Sequence, residues 1–277
     1  MAGSELRAFV RLEDDHDEPA PVSGVAAVRR EARRHLSDPA IRRGLVTLGV
    51  LAGLLVVVIV QVASGTGLVR LDVAAHRLGM ENRWSTTWVV MKFLEVLGQR
   101  GPTAVEAFLI VGWIAWGNRS WRPVFVLTGS LVALNLFVGF LKLGFGRGKP
   151  YYGDPALFVD GMLFPSGHAG NAVLTWAIVG YLIARYARVR SPRAWLIGTA
   201  VLTTVVTLVV GVASVYYDTH WVTDLVAGWL VGGMVLQGAV LVDRAVDRYQ
   251  AGRFSGRVVS LADHARERDA ARDRERA

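Results

Sequence analysis

From Gly44 to Ser64 the chain carries no charged side chain, and a helix of that length, at about 1.5 Å per residue, crosses a hydrocarbon core of about 30 Å. In lipid the backbone of such a stretch must satisfy its own hydrogen bonds, which a helix does. Five further apolar stretches follow, at Thr103–Gly117, Pro123–Lys142, Ala169–Ala187, Trp195–Tyr216 and Trp221–Val242. Thr103–Gly117 is short. The segment before it, Trp84–Gly98, reads either as an interfacial helix or as part of a longer second span. With 52% hydrophobic residues in the whole chain, the expected fold is all-α, a polytopic membrane protein built as a six-transmembrane-helix bundle.

A net charge of +8 invites a nucleic-acid reading, but the positive residues stand beside the spans. Arg29, Arg30, Arg33, Arg34, Arg42 and Arg43 precede the first span, Arg119 and Arg122 separate the second and third, and Arg185, Arg188, Arg190 and Arg193 separate the fourth and fifth. With six spans all of these fall on one side, which the positive-inside rule makes cytoplasmic. The expectation is a multi-pass protein of the cytoplasmic membrane with both termini inside, partnered by membrane and not by nucleic acid. Residues 1–42 read as a flexible cytoplasmic tail, 43–245 as the membrane domain, and 246–277, where Arg alternates with Asp and Glu, as a charged cytoplasmic tail. The polar start and the absence of a small-residue cleavage pattern beside the first apolar run argue for a retained anchor. The chain has no cysteine, which removes disulfides, thiolate nucleophiles and cysteine metal sites together.

Three polar segments interrupt the apolar pattern on the outer side. In Pro165-Ser166-Gly167-His168 a hydroxyl and a glycine stand where a span begins, so backbone N–H groups of a helix start face the outer loop and attract an anion. His220 and Asp224 are four residues apart, one turn of a helix, so the carboxylate can hold the imidazole and leave its other nitrogen as a nucleophile or base. An acidic residue one turn into an apolar span is costly, and function is the usual reason for it. The third segment, Lys142 to Pro150, sets Lys142, Arg147 and Lys149 on a glycine-rich backbone suited to phosphate. It is not a P-loop, since Pro150 follows Lys149 where Ser or Thr is required.

Taken together, Lys142-x6-Lys149-Pro150, Pro165-Ser166-Gly167-His168 and His220-x3-Asp224 resemble the type 2 phosphatidic acid phosphatase superfamily over roughly residues 70–240. The family pattern is Lys-x6-Arg-Pro, Pro-Ser-Gly-His and Ser-Arg-x5-His-x3-Asp. The resemblance implies a six-helix membrane enzyme that needs no metal or other cofactor and removes phosphate from lipid phosphates or diphosphates through a phosphohistidine. His220 then corresponds to the nucleophile, Asp224 to its orienting partner and His168 to the acid for the departing lipid. Lys142, Ser166 and Gly167 match phosphate-binding positions.

The chain departs from the pattern at two arginines. Lys149 occupies one arginine position, Ser214 the other, and Ala213 replaces the family serine. Each lost charge-assisted contact costs about 1.5–3 kcal/mol. Arg147 is the nearest candidate replacement, and Asp218 adds a negative charge that opposes phosphate unless Lys149 or Arg147 pairs with it. The alternatives are a phosphotransferase that passes the group from the same histidine to an alcohol, and a non-catalytic lipid-binding protein of the same fold. Headgroup choice is expected to rest on helix faces and on the loop Tyr151–Leu163.

Overall fold

In the computed structural model, residues 38–81 and 87–276 are described, with side chains described up to Gln250 apart from residues 78–86 and Trp88. Of the stretch 1–42 read as a tail, residues 1–37 lie outside the described residues and 39–42 form the first turn of a helix; the side chains of the charged C-terminal run also lie outside them. The helices are α1 (Pro39–Ala63), α2 (Val69–Glu81), α3 (Thr87–Glu95), α4 (Arg100–Gly117), α5 (Arg122–Phe145), α6 (Gly167–Tyr186), α7 (Pro192–Tyr216) and α8 (Val222–Arg276). Short 3-10 turns lie at Val96–Gly98 and Pro150–Tyr152.

The chain divides into two compact units, Met1–Leu45 and Val46–Ala277. In the first, Asp38 Oδ1 accepts the backbone N–H groups of Ala40 at 2.7 Å and Ile41 at 3.3 Å, a side-chain cap for the start of α1. The second unit holds the rest of the described chain. There Ser166 and Ser191 cap α6 and α7, and Pro123 and Pro192 stand in the first turns of α5 and α7, where the missing N–H has no cost.

Among the described residues, four helices are long and apolar enough to cross a membrane: α1, α5, α7 and the stretch Val222–Gln250 of α8. Their outward residues are apolar, as Val57, Phe140 and Val201 illustrate, and lipid is the solvent that accepts such faces. α6 is different in kind. It touches α4, α5, α7 and α8, and Leu174, Ile178 and Leu182 are completely buried. A helix wrapped by protein can carry polar side chains, provided they are paired. Asn171 Nδ2 donates to Gly98 O at 3.1 Å and Thr103 Oγ1 at 2.8 Å, and Thr175 Oγ1 donates to Asn171 Oδ1.

The structure decides two points that the sequence leaves open. Gln99 is extended, with φ −71° and ψ 136°, so α3 is a separate short helix and not the first half of a longer α4. α8 runs unbroken across residue 245 into the charged stretch 246–276, which is helical.

α6 and α8 cross at glycines. A Cβ on Gly232 would lie 2.5 Å from Gly170 O, and one on Gly228 2.4 Å from Ser166 O. Only hydrogen at these positions lets the two backbones approach so closely.

Candidate active site

Antiparallel packing brings the start of α4, the end of α5, the start of α6 and the turn before α8 to one end of the bundle. Between them lies a cleft of about 490 Å³ lined by Gln99, Arg100, Lys142, Met162, Gly167, His168, Thr219 and His220, among others. The ring centroids of His168 and His220 are 6.4 Å apart, tilted by 60°. Lys142 reaches the cleft from the last turn of α5, and its Nζ donates to Met162 O at 2.6 Å.

His220 precedes α8, and its Nδ1 lies 3.3 Å from Asp224 Oδ2. The same oxygen accepts the Trp221 backbone N–H at 3.0 Å. Asp224 Oδ1 accepts from Arg147 Nη1 at 2.6 Å, and Asp224 itself is completely buried. Both carboxylate oxygens are therefore fixed by donors, and the imidazole has one orientation to adopt. Ser166 is also fully buried. Its Oγ accepts from Ala169 N at 3.3 Å, and its backbone N–H donates to Asp224 O at 2.9 Å, joining the start of α6 to the first turn of α8.

Arg147 is placed differently from its sequence expectation. It is completely buried, with Nε donating to Pro155 O at 2.8 Å, Nη1 to Thr223 Oγ1 and Asp224 Oδ1, and Nη2 to Asp72 Oδ2 at 2.7 Å. The guanidinium also lies over the Trp221 ring, 5.3 Å from its centroid. Such a cation is a clamp between α2 and α8 and has no face left for a phosphate in the cleft. The loop after it closes around the clamp: Arg147 N donates to Gly161 O and Leu163 N to Arg147 O. A Cβ on Gly161 would lie 2.1 Å from Arg147 O, so this return is open to glycine alone.

Two other expectations are corrected by the same packing. Asp218 pairs with neither Lys149 nor Arg147: its Oδ1 lies 2.6 Å from Nδ1 of His76 on α2. Lys149 is exposed and does not line the cleft. Asp72 and His76 have no local sequence signal, since their partners lie 75 to 151 residues away. Asp72 Oδ1 accepts Thr223 N at 2.9 Å, and burial raises its carboxyl above the ordinary value even with Arg147 beside it.

Arg100 is the residue that sequence reasoning missed. It is exposed at the start of α4 and lines the cleft. Its guanidinium lies directly against Gly167, where a Cβ would come within 2.5 Å of Nη2. The signal was available: Arg100 stands at the start of the second apolar stretch, at the end opposite Arg119 and Arg122 and so at the same end as Lys142.

These features define a multi-pass, all-helical membrane protein with a histidine-paired polar cleft at one end of its bundle. Residues 123–247 match the model of the PAP2 superfamily. Over 110 residues it is 24% identical to phosphatidylglycerophosphatase B of Bacillus subtilis strain 168. That alignment covers 40% of this chain and 53% of the other, so the chain spans about half the length of this curated relative. The crystal structure of a transmembrane PAP2-type phosphatidylglycerolphosphate phosphatase from Bacillus subtilis is similar in fold, with a TM-score of 0.61 at 20% identity, covering 71% of this chain and 96% of that one. The family match contains Lys142, His168, His220 and Asp224, whereas Asp72 and Arg100 precede it.

Proposed function

We propose that the chain is a membrane-embedded phosphatase that removes phosphate from a lipid phosphate or diphosphate, with His220 as nucleophile. The observation that carries this reading is the pair of imidazoles facing one cleft, one of them held by a buried carboxylate that is itself fixed from both sides. With Nδ1–H directed at Asp224, Nε2 of His220 carries the free electron pair. It attacks phosphorus, the bond from phosphorus to the lipid oxygen breaks, and His168 gives its proton to that oxygen. Water, deprotonated by His168, then attacks the phosphohistidine, releasing inorganic phosphate and restoring His220. Asp224 stabilises the positive charge that the ring acquires on attack. Lys142 and the N–H groups at the start of α6 bind the phosphate and meet the charge that builds on its oxygens.

The six-span reading adds α4 and α6 to the four apolar helices. α4 presents Trp113 and Trp116, 81% and 78% exposed, on its outer face, and α6 is shielded by its neighbours. With six spans the cleft lies opposite the loops that carry Arg119, Arg188 and Arg190, on the extracytoplasmic side. The names of the two Bacillus relatives make phosphatidylglycerol phosphate the first substrate to test.

Phosphate release is measured from purified protein on phosphatidylglycerol phosphate, phosphatidic acid and an isoprenoid diphosphate, with EDTA present. Turnover of at least one lipid is expected, and loss of it by 10³-fold or more in His220→Ala. Undiminished turnover in that variant refutes the mechanism.

A further inference from the structure

The lost arginine of the third motif leaves a question of charge. Ser214, which occupies its position, is completely buried, and among the described residues its Oγ has no hydrogen-bond partner. It is also absent from the cleft lining. Arg147, the other candidate, is held by Asp72, Asp224, Thr223 and Pro155.

We infer that Arg100, brought to the cleft from the start of α4, is the phosphate-binding guanidinium of this protein and takes over the part of the arginine missing at position 214. The inference rests on the phosphatase reading of the cleft and extends it to a residue outside the family-matched stretch. Three observations carry it. Arg100 lines the cleft with Lys142, His168 and His220. Its Nη2 rests on Gly167, beside the first N–H groups of α6, so a planar two-point donor and a helix start converge on one position. Among the described residues, no protein hydrogen bond or ion pair engages the guanidinium, in contrast to Arg147, so its donors are available to an anion.

The position of Arg100 is itself built. Gln99 is extended, which stops the 3-10 turn at Gly98 and starts α4 anew at Arg100. Gly98 packs so closely on α7 that a Cβ there would lie 2.7 Å from Val210 Cγ1 and 3.0 Å from His168 O. Asn171 of α6 donates to Gly98 O. The turn that presents Arg100 is thus held by α6, whose start lines the cleft, and by α7 behind it.

The test uses full-length protein in detergent and two readouts, binding of orthovanadate as a phosphate mimic and phosphate release from phosphatidylglycerol phosphate. Arg100 is exposed, so Arg100→Ala should fold, which unchanged thermal unfolding verifies. The expected result is vanadate binding weakened about 10- to 100-fold and KM raised by a similar factor, with Arg100→Lys intermediate because it keeps the charge and loses the fork. Wild-type binding of vanadate and unchanged turnover in Arg100→Ala overturn the assignment. A wild-type protein that binds vanadate through Arg100 but releases no phosphate leaves the assignment standing and removes the phosphatase reading. A wild-type protein that binds no vanadate overturns both.

Discussion

Arg147 holds two carboxylates that no local pattern connects, Asp72 lying 75 residues before it and Asp224 77 after. In the first motif it reads as a phosphate-binding cation, because a cation two residues from a family arginine is all that the local sequence displays. Its donors show otherwise, and the difference is measurable. Arg147→Ala leaves two buried carboxylates without their counter-ion, at an expected cost of about 3–5 kcal/mol. Arg147→Lys keeps the charge but cannot reach Asp72, Thr223 and Asp224 together, so it should fall between. Thermal unfolding followed by tryptophan fluorescence checks this, with KM measured on whatever remains folded. A phosphate contact would instead raise KM and leave the unfolding temperature in place. Lys142 and His220, which line one cleft, were legible as candidates because the chemistry of each lies within a few residues of sequence.

The crossing of α6 and α8 sets the distance between the two histidines, since His168 opens one helix and His220 precedes the other. Gly228-x3-Gly232 is a small-residue pattern visible in the sequence, but the pattern does not name Gly170 as the surface that it meets. Gly232→Ala directs a methyl group at Gly170 O, a backbone atom that cannot turn aside. The helices must separate, at about 1–3 kcal/mol of stability. A displacement of about 1 Å between reacting groups lowers kcat on the order of 100-fold. Gly238→Ala, further along α8 with nothing within 4 Å of the added Cβ, should leave both quantities unchanged. Equal behaviour of the two variants would remove the crossing from the account. α2 was less legible than either helix: its role depends on Asp72 and His76, whose partners lie in Arg147, Thr223 and Asp218.

Across the whole molecule the two ends of the bundle differ in chemistry. About 30 Å along α5 from Lys142, by helix rise, Arg122 pairs with Asp243 and Asp247, and Arg185 with Asp247. Asp243 also accepts hydrogen bonds from Tyr181 at 2.8 Å and Tyr186 at 2.9 Å. Some of the arginines that indicate a cytoplasmic side thus also tie α5, α6 and α8 together. The cysteine-free chain allows a direct check of orientation. A membrane-impermeant maleimide added to intact cells should label Tyr151→Cys, which is exposed in the loop after α5. Arg190→Cys, exposed between α6 and α7, should react only after lysis; the reverse pattern would invert the topology. The apolar stretches, the placement of arginines beside them and the spacing of the two histidines could be read from the chain alone, because solvent preference and helical periodicity are local. Which polar side chains meet was decided by packing: Arg147 with Asp72 and Asp224, His76 with Asp218, and Arg100 with the other residues that line the cleft. The pairing of charges in a low-dielectric interior depends on distances between elements far apart in sequence, and the fold alone sets those distances.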